Sequence, residues 1–412
     1  MMYSRLKNIP SINGTLLLTP ERVLITSGLL VLMSYGVYIH AILTAENMNL
    51  QAGPPVGGDF VAFWGAARAV LDGLAADIYQ MQVFEAYLLD NAMPRERFGL
   101  TWQYPPTYYF FIMPLAALPF FPGYVLWSGG TMVLFIFVLS RMCRLEWAGL
   151  LILFAAPVMF NAVITGQNGF LTASLLVLAA AYPDKRPILA GIAAGLLTFK
   201  PQLGVLLPVA FIAAGCWRAF FSAALTAVAL ALASVMVFGL ETWAAFIESI
   251  INVGGGVKDA VYPIHKMPTV FAAFHKSGLP SDIAMVLQII SALAAMALIG
   301  LVWCKVKAAD LRAAILCAAV FLCSPYAYYY EMTVLVLPVI VIVKRAIEDG
   351  WLPVEEVGIA LIWLAPLFLP GLSKYIGAQA GLALVLGLLF LALRRAQVAE
   401  GFWPTRNAVM AS

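Results

Sequence analysis

The sequence predicts an all-α polytopic integral membrane protein with about twelve transmembrane helices. Of its 412 residues, 63% are hydrophobic and only 11% are charged, and the mean hydropathy is +0.92. Apolar runs of about twenty residues, the length that crosses a bilayer as a helix, recur along most of the chain. Because these values lie far outside the usage of soluble domains, we expect a single transmembrane domain over residues 1–412.

The apolar runs set the order of the predicted spans. A run between two prolines, residues 106–119, is too short for an ordinary span and predicts a re-entrant or interfacial segment. The first span has basic residues before it and no small-residue cleavage site after it, which predicts an uncleaved helix. The predicted spans are 22–43, 122–142, 146–162, 167–182, 187–200, 201–216, 218–239, 283–304, 311–323, 331–345, 354–370 and 375–394.

Basic residues indicate the orientation of the spans, because cytoplasmic loops of membrane proteins are enriched in Lys and Arg. They fall on alternate connections, so we expect these connections and both termini to be cytoplasmic. The opposite, outer side then holds a first long loop, 46–105, with interfacial helices, and a second long loop, 240–282. The clustered basic residues are Arg5, Lys7, Arg22, Arg141, Arg144, Lys185, Arg186, Arg218, Lys305, Lys307, Arg312, Lys344, Arg345, Arg394 and Arg395.

Several function classes lack support in the sequence. The net charge of 24 minus 21, or +3, is small and dispersed, so we expect no nucleic-acid partner. The chain has no P-loop, dinucleotide-binding glycine motif, H-E-x-x-H or G-x-S-x-G, so nucleotide, zinc and serine-hydrolase chemistry is not indicated. The dispersed carboxylates suggest no metal ligand set, and we expect no cofactor. The five cysteines show neither metal-binding nor secreted-scaffold spacing, which predicts free thiols.

Asp59 is the strongest candidate for a catalytic group. It follows Gly57 and Gly58 and precedes an apolar helical pattern in the first outer loop, where Phe60, Phe63, Trp64 and Ala67 would form a face suited to the headgroup layer. An acid at this position is either a helix N-cap or a base exposed to substrate, and the two roles can coexist. The sequence alone leaves both roles open.

Two cationic candidates lie on the same outer side. Arg68 follows on the predicted helix and has Asp72 four residues later, the spacing of a local ion pair. Lys200 lies between two apolar runs and before a proline, against the topological bias. It either extends to water or faces a lipid phosphate.

Polar side chains also mark the predicted helix ends. Gln167 and Asn168 open an apolar span and Gln202 follows Lys200, and such amides either bind sugar hydroxyls or satisfy helix ends. Four tyrosines of the tract 324–331 form either an interfacial aromatic belt or a sugar-stacking surface. Glu331 ends this tract and adds a hydrogen-bond acceptor.

Taken in order, these motifs resemble glycosyltransferase family 87, a family of polyprenyl-phosphate-sugar-dependent enzymes in the C-type membrane superfamily that includes mycobacterial α-1,2-mannosyltransferases. The resemblance covers about residues 57 to 335. Its motifs are Gly58-Asp59-Phe60 with Ala66, Ala67, Arg68, Gly73 and Ile78-Tyr79; Tyr104-Pro105-Pro106 with Pro114-Leu115-Ala116; Gly166-Gln167-Asn168; Gly195 through Lys200-Pro201; and the Ser324-Pro325 tract.

The resemblance implies a C-type glycosyltransferase fold and roles for particular residues. In the family the acid of the first outer loop is the catalytic base, which corresponds to Asp59. Some members have a histidine after the Ser-Pro pair, where this chain has tyrosines, so the donor-phosphate contact stays open among Lys200, Arg68 and His265. The remaining candidates for sugar or acceptor binding are Gln167, Asn168, Gln202, Tyr104, Tyr326, Tyr330 and Glu331.

The activity that the resemblance implies is inverting transfer of a monosaccharide, mannose or a pentose, from a polyprenyl phosphate carrier to a glycolipid or glycan acceptor. The enzyme would reside among the lipids of a bacterial inner membrane with a periplasmic active site. The main alternative is a secondary transporter or flippase of lipid-linked sugars, since many such proteins have about twelve helices. A noncatalytic assembly scaffold is a third reading.

Overall fold

The computed structural model describes residues 19–46, 48–51, 55–91, 100–256, 264–376 and 379–402. Within these ranges the chain is almost entirely helical, and extended pairing is limited to two isolated β-bridges around Asn49. All five cysteines are free thiols, as predicted. The protein is therefore all-α, as the hydropathy pattern predicted.

The N-terminal half of the chain alternates long apolar helices with short ones. Prolines stand at the first position of several of these helices, where the missing N–H group removes no intrahelical bond. The helices are α1 (Pro20–Leu43), α2 (Phe60–Leu71), α3 (Met81–Asn91), α4 (Tyr109–Ile112), α5 (Phe120–Cys143), α6 (Trp147–Ala155), α7 (Pro157–Thr165), α8 (Gly169–Ala181), α9 (Pro187–Leu196) and α10 (Pro201–Gly204).

The C-terminal half continues this pattern, and single 3₁₀ or π turns connect many of the helices. Its helices are α11 (Leu206–Ala213), α12 (Trp217–Phe238), α13 (Leu240–Gly256), α14 (Val270–Lys276), α15 (Ser281–Lys305), α16 (Ala309–Ala319), α17 (Val336–Asp349), α18 (Glu355–Leu364), α19 (Leu369–Gly371) and α20 (Ala380–Glu400). The connecting turns are Asp77–Tyr79, Pro106–Tyr108, Met113–Ala117, Leu197–Phe199, Ile264–Lys266, Val320–Leu322, Tyr329–Leu335, Ala365–Leu367 and Leu372–Ile376.

Among the described residues, five helices are long and apolar enough to cross a membrane: α1, α5, α12, α15 and α20. The pair α6 and α7 passes the same test together but is bent by 59° at Ala156, so it is either a sixth, broken span or a re-entrant loop. The remaining predicted spans fold as shorter or interrupted helices. Hydropathy thus located apolar helices correctly, whereas the predicted count of about twelve crossings stays a prediction.

Helices α9 and α12 show how the middle of the chain packs. Gly191 and Gly195 lie four residues apart on α9, and an added Cβ would stand 2.4 Å from the Ala219 carbonyl oxygen or 2.5 Å from Thr226 Cβ. Small residues at this spacing let two helix backbones approach closely, the usual way membrane helices associate.

Helix α2 differs from the sequence-based expectation. The predicted lipid-facing residues Phe60, Phe63, Trp64 and Ala67 are all buried, with at most 6% exposure. Aromatic residues of the following segment cover them; Phe63, for example, packs edge-on against Trp102, Tyr104 and Tyr108. The expectation that this face lies in the headgroup layer is therefore wrong, because the chain supplies its own apolar cover.

The proline-bounded segment 106–119 provides part of this cover. It folds as three consecutive short helical stretches, Pro106–Tyr108, Tyr109–Ile112 and Met113–Ala117. The indole N–H of Trp64 donates to the Leu118 carbonyl at 2.9 Å, which fixes α2 against the end of this segment. The first residues of α2 are thereby held in one place.

Candidate active site

Asp59 lies at the start of α2 on a turn that is pressed against the end of α7. Gly57 and Gly58 adopt left-handed backbone angles, with φ of 76° and 49°, which glycine tolerates without steric cost. The Asp59 backbone N–H donates to the Thr165 carbonyl at 2.9 Å. At Gly166 a Cβ would stand 2.4 Å from the Gly57 carbonyl oxygen. The turn therefore requires glycine on both sides of the contact.

The Asp59 carboxylate does not cap its own helix. Asp59 occupies the N-cap position of α2, but its side chain accepts no hydrogen bond from the helix backbone. Instead, Oδ2 accepts from Gln167 Nε2 at 2.9 Å, across 108 residues of sequence. The side chain is half-buried, so part of it stays accessible. Of the two roles left open by the sequence, the capping role is not used.

Two tyrosines hold the turn from behind. The Gly57 backbone N–H donates to Tyr38 Oη at 3.1 Å, and the Tyr38 and Tyr124 hydroxyls are hydrogen-bonded to each other at 3.0 Å. Tyr124 Oη in turn donates to the Val163 carbonyl at 2.8 Å. The first transmembrane helix thus helps to position the catalytic candidate, through residues that carried no signal in the sequence.

Gln167 and Asn168 connect Asp59 to a second polar group. Tyr104 Oη donates to Gln167 Oε1 at 3.4 Å. Asn168 is fully buried; its amide nitrogen donates to Tyr108 Oη at 2.9 Å, and its amide oxygen accepts from Lys200 Nζ at 2.5 Å. The predicted amide pair therefore bridges the acid at α2 and the lysine between α9 and α10.

Lys200 and Glu331 form a buried ion pair at the centre of the site. Both residues are 4% exposed, and the Lys200 ammonium donates to Glu331 Oε1. The ammonium also lies 5.0 Å from the Tyr330 ring centroid and 5.6 Å from that of Tyr104, within cation–π range. The other Glu331 oxygen, Oε2, is buried without a hydrogen-bond partner in the described part of the chain.

Local sequence explains how Lys200 and Glu331 reach this position. Pro201 starts α10 and leaves Lys200 outside the regular helix, with a backbone φ of −131°. On the opposite side, Gly169 opens α8, and a Cβ there would stand 2.4 Å from the Tyr330 carbonyl oxygen. The backbone of the tyrosine tract can therefore lie directly against the start of α8, next to Asn168.

The tyrosine tract serves two purposes. Tyr328 and Tyr330 stack with ring centroids 5.5 Å apart, and both are half-buried, so they offer an aromatic surface beside the ion pair. Tyr329 instead donates to Gln379 Oε1 at 3.1 Å and is a structural contact. Tyr326 is half-buried, and its backbone N–H donates to Ser324 Oγ at 3.1 Å.

Other predicted residues lie farther from this cluster. Arg68 is exposed and stacks over the Trp64 ring at 4.8 Å. It follows Asp59 by nine residues, which corresponds to about 13 Å along the axis of α2. Its predicted ion pair with Asp72 is absent within the described chain, because Asp72 accepts a hydrogen bond from Tyr87 instead.

The structure places His265 and Gln202 in two other short elements. His265 is in the turn Ile264–Lys266, which Gln379 holds through the Ile264 carbonyl at 2.9 Å. Gln202 is half-buried in α10, two residues after Lys200. Among the phosphate-contact candidates, Lys200 is joined to Asp59 by a chain of described hydrogen bonds through Asn168 and Gln167.

The cluster contains a neutral hydrogen-bond donor, the Tyr104 phenol. Desolvation among neighbouring rings, followed by the negative charge of Glu331, raises the pKa of the Tyr104 phenol well above its ordinary value. This phenol therefore stays protonated and can donate a hydrogen bond at any physiological pH. No group of three or more potential metal ligands is gathered in the described parts of the chain.

Sequence analysis missed one side chain in contact with the cluster. Tyr108 is fully buried, stacks on Tyr104 with centroids 4.3 Å apart, and accepts the hydrogen bond from Asn168. It belongs to the Tyr104-Pro105-Pro106 region that the resemblance had singled out. A periodicity argument extended through these prolines could have indicated it, because it follows Tyr104 at helical spacing.

Comparison with known proteins adds independent information. The model of glycosyltransferase family 87 matches residues 102–325, which is 224 of 412 residues. Tyr104, Gln167, Asn168 and Lys200 fall inside the match, and Asp59 precedes it. Comparison with curated proteins and with solved structures gives no match. Because the family match spans more than half of the chain, this protein belongs to glycosyltransferase family 87 and is a membrane glycosyltransferase.

Proposed function

We propose that the protein transfers one monosaccharide from a polyprenyl phosphate carrier to a hydroxyl of a glycolipid or glycan, with inversion at the anomeric carbon. The observation that carries this proposal is the unused N-cap at Asp59: a half-buried carboxylate whose only described side-chain partner is Gln167. An acid that does not stabilise its own helix is available to take the acceptor proton. Family membership supports glycosyl transfer as the reaction.

The reaction needs a base, a stabilised leaving group and a held sugar. In the proposed mechanism Asp59 removes the proton of the acceptor hydroxyl as its oxygen attacks the anomeric carbon, a contribution of typically ~10²–10⁴-fold. The bond from that carbon to the carrier phosphate breaks at the same time, and the phosphate leaves as an anion. Gln167 holds the Asp59 carboxylate in one orientation.

Lys200 is the proposed contact for the leaving phosphate. An ammonium carries three N–H donors, and the described structure uses two of them, for Asn168 and Glu331. The third donor and the positive charge can stabilise negative charge that develops on the phosphate. Glu331 and Asn168 then act as positioning residues that hold the ammonium next to the reacting atoms.

The aromatic surface provides the proposed sugar contacts. The stacked Tyr328 and Tyr330 rings lie beside the ion pair, and the protonated Tyr104 phenol donates a hydrogen bond at the same place. Such groups can contact a sugar face and its hydroxyls together. Mannose or a pentose fits this chemistry, and the choice between them rests on the family resemblance.

We further propose a C-type arrangement in which the shorter apolar helices also cross the bilayer, giving about twelve spans, with the 46–105 and 240–282 loops on the outer side. The basic residues at the helix ends opposite Asp59 support this orientation in a bacterial inner membrane. The site would then face the periplasm, where lipid-linked donors replace nucleotide sugars.

Asp59→Asn tests the base assignment. Asparagine keeps an oxygen that can accept from Gln167 but cannot take a proton, so sugar transfer from a synthetic polyprenyl phosphate donor should fall by about 10²–10⁴-fold while donor binding is retained. Asp72→Asn is the matched control, because it makes the same change at the other end of α2, where Asp72 contacts Tyr87. Product NMR would report inversion at the anomeric carbon. Undiminished transfer by Asp59→Asn would refute the base assignment, and carrier translocation without bond cleavage would favour the flippase alternative.

A further inference from the structure

Gln379 stands directly before α20, but its side chain forms no hydrogen bond with the first turn of that helix. Instead, the amide nitrogen donates to the carbonyls of Ile264 and Met267, at 2.9 and 2.7 Å. The amide oxygen accepts from Tyr329 Oη at 3.1 Å and from Ser373 Oγ at 3.3 Å. A primary amide has two N–H donors and two acceptor positions, so the described contacts use all of them.

These four hydrogen bonds join three separate parts of the chain. The two carbonyls belong to the second long loop, 240–282, Ser373 lies in the turn Leu372–Ile376, and Tyr329 belongs to the tyrosine tract. A carbonyl can only accept a hydrogen bond, so the amide nitrogen must face the loop and the amide oxygen must face Tyr329. The Gln379 amide therefore connects the loop to the tyrosine tract in one fixed orientation.

Close packing surrounds this contact. Gly381 lies in the first turn of α20, and a Cβ there would stand 2.7 Å from Pro268 Cβ and 2.9 Å from Tyr329 Cε1. The loop also meets the tract at a second point, because Thr269 Oγ1 donates to the Pro325 carbonyl at 3.1 Å. The buried Tyr329 ring is therefore held between the start of α20 and the second long loop.

The position of Tyr329 affects the two rings that flank it in sequence. Tyr328 and Tyr330 stack on each other with centroids 5.5 Å apart, and we call this pair of rings the sugar surface. Tyr328 has extended backbone angles, φ of −103° and ψ of 167°, and neighbouring side chains of an extended chain point to opposite faces. Because the three residues are consecutive, a displacement of Tyr329 also displaces the sugar surface.

From these contacts we propose that Gln379 is a positioning residue for the donor sugar, which acts through Tyr329 to hold the sugar surface in place. The inference rests on the proposed transfer function and adds a residue that the reaction itself does not require. The proposed phosphate contact is held independently, because Lys200 has its own hydrogen bonds to Asn168 and Glu331. Gln379 should therefore affect binding of the sugar more than binding of the carrier phosphate.

Steady-state kinetics with two ligands test this proposal on the full-length enzyme. Gln379→Leu keeps a side chain of similar size but removes all four hydrogen bonds. With a synthetic polyprenyl phosphate donor that carries mannose or a pentose, we expect KM to rise about tenfold and kcat to change little, because the sugar surface binds the donor before and during the reaction. Polyprenyl phosphate without a sugar does not use this surface, so its inhibition constant should stay unchanged. A purely structural role of Gln379 would not separate the two ligands.

Gln288→Leu is the matched control. Gln288 is also a buried glutamine that ties the second long loop to the rest of the chain, but its hydrogen bonds end elsewhere. Its amide oxygen accepts from the Phe271 N–H at 3.0 Å, and its amide nitrogen donates to the Leu322 carbonyl at 2.8 Å. We expect Gln288→Leu to lower the free energy of unfolding without a change in the KM of the donor.

Tyr329→Phe provides a milder variant, because it removes only one hydroxyl from the same contact. It should also raise the KM of the donor, and the double variant with Gln379→Leu should be no worse than the larger single effect, since both break one contact. An unchanged KM in either single variant, an equal rise in the inhibition constant of polyprenyl phosphate, or an equal rise in KM for Gln288→Leu would overturn the proposal. If the wild type transfers sugar normally, these outcomes refute this inference alone, whereas a wild type that uses none of the donors refutes the proposed function as well.

Discussion

The buried Lys200–Glu331 pair gives the sharpest quantitative prediction. Both side chains are removed from water, with side-chain exposures of 6% and 4%, so neither can recover its hydration when the other is lost. Breaking a buried pair by removing one partner costs about 3–5 kcal/mol, because the remaining charge is uncompensated. Lys200→Met should therefore destabilise the protein by about this amount.

The double variant shows whether the two charges act together. Lys200→Met combined with Glu331→Gln removes both charges, so its destabilisation should be smaller than the sum of the two single effects by up to about 3 kcal/mol. Transfer activity should stay low in both variants that lack Lys200 if its ammonium contacts the leaving phosphate, because restored stability does not restore the cation. Equilibrium unfolding in mixed micelles and a donor-hydrolysis assay measure the two properties separately.

A half-exposed ion pair supplies the matched control. Arg345 and Asp310 are 26% and 31% exposed, and exposed pairs contribute about 0–1 kcal/mol. Arg345→Met should therefore cost far less than Lys200→Met. If the two substitutions destabilise equally, or if the Lys200 and Glu331 effects are simply additive, then the ion pair is not the tightly coupled, dry contact described here.

Three further predictions concern other parts of the molecule. Gly166→Ala places a Cβ against the Gly57 carbonyl oxygen, and it puts a side chain on a residue with φ of 58°. We therefore expect kcat for transfer to drop at least tenfold, while the size-exclusion profile shows that the chain is still folded. Glu355→Ala removes the carboxylate that pairs with Arg395, whose side chain is 3% exposed. We expect the free energy of unfolding to fall by about 3–5 kcal/mol, and kcat measured below the unfolding transition to stay unchanged. Cys304 is the exposed cysteine, and the proposed orientation places its end of α15 on the cytoplasmic side. A membrane-impermeant maleimide should then label it from that face of vesicles, and labelling from the outer face alone would contradict the proposed orientation.

The sequence alone determined that this is a membrane protein made of apolar helices, and it indicated which residues were candidates for the functional site. Hydropathy is a local, additive property, so apolar helices such as α1 and α12 were located within a few residues of their observed bounds. An acid after two glycines and a lysine before a proline stand out against an apolar background without any knowledge of the fold. Asp59 and Lys200 were found for this reason.

Only the tertiary structure decided what these groups do to one another. The contact between Asp59 and Gln167 spans 108 residues, and that between Lys200 and Glu331 spans 131, so no local pattern specifies either pair. The lack of long-range information in a local pattern also explains the wrong prediction for α2. Its apolar face was predicted to contact lipid, but aromatic residues from a later segment cover it. Apolar periodicity indicates that one face of a helix is shielded from water. Whether lipid or protein covers that face depends on long-range packing.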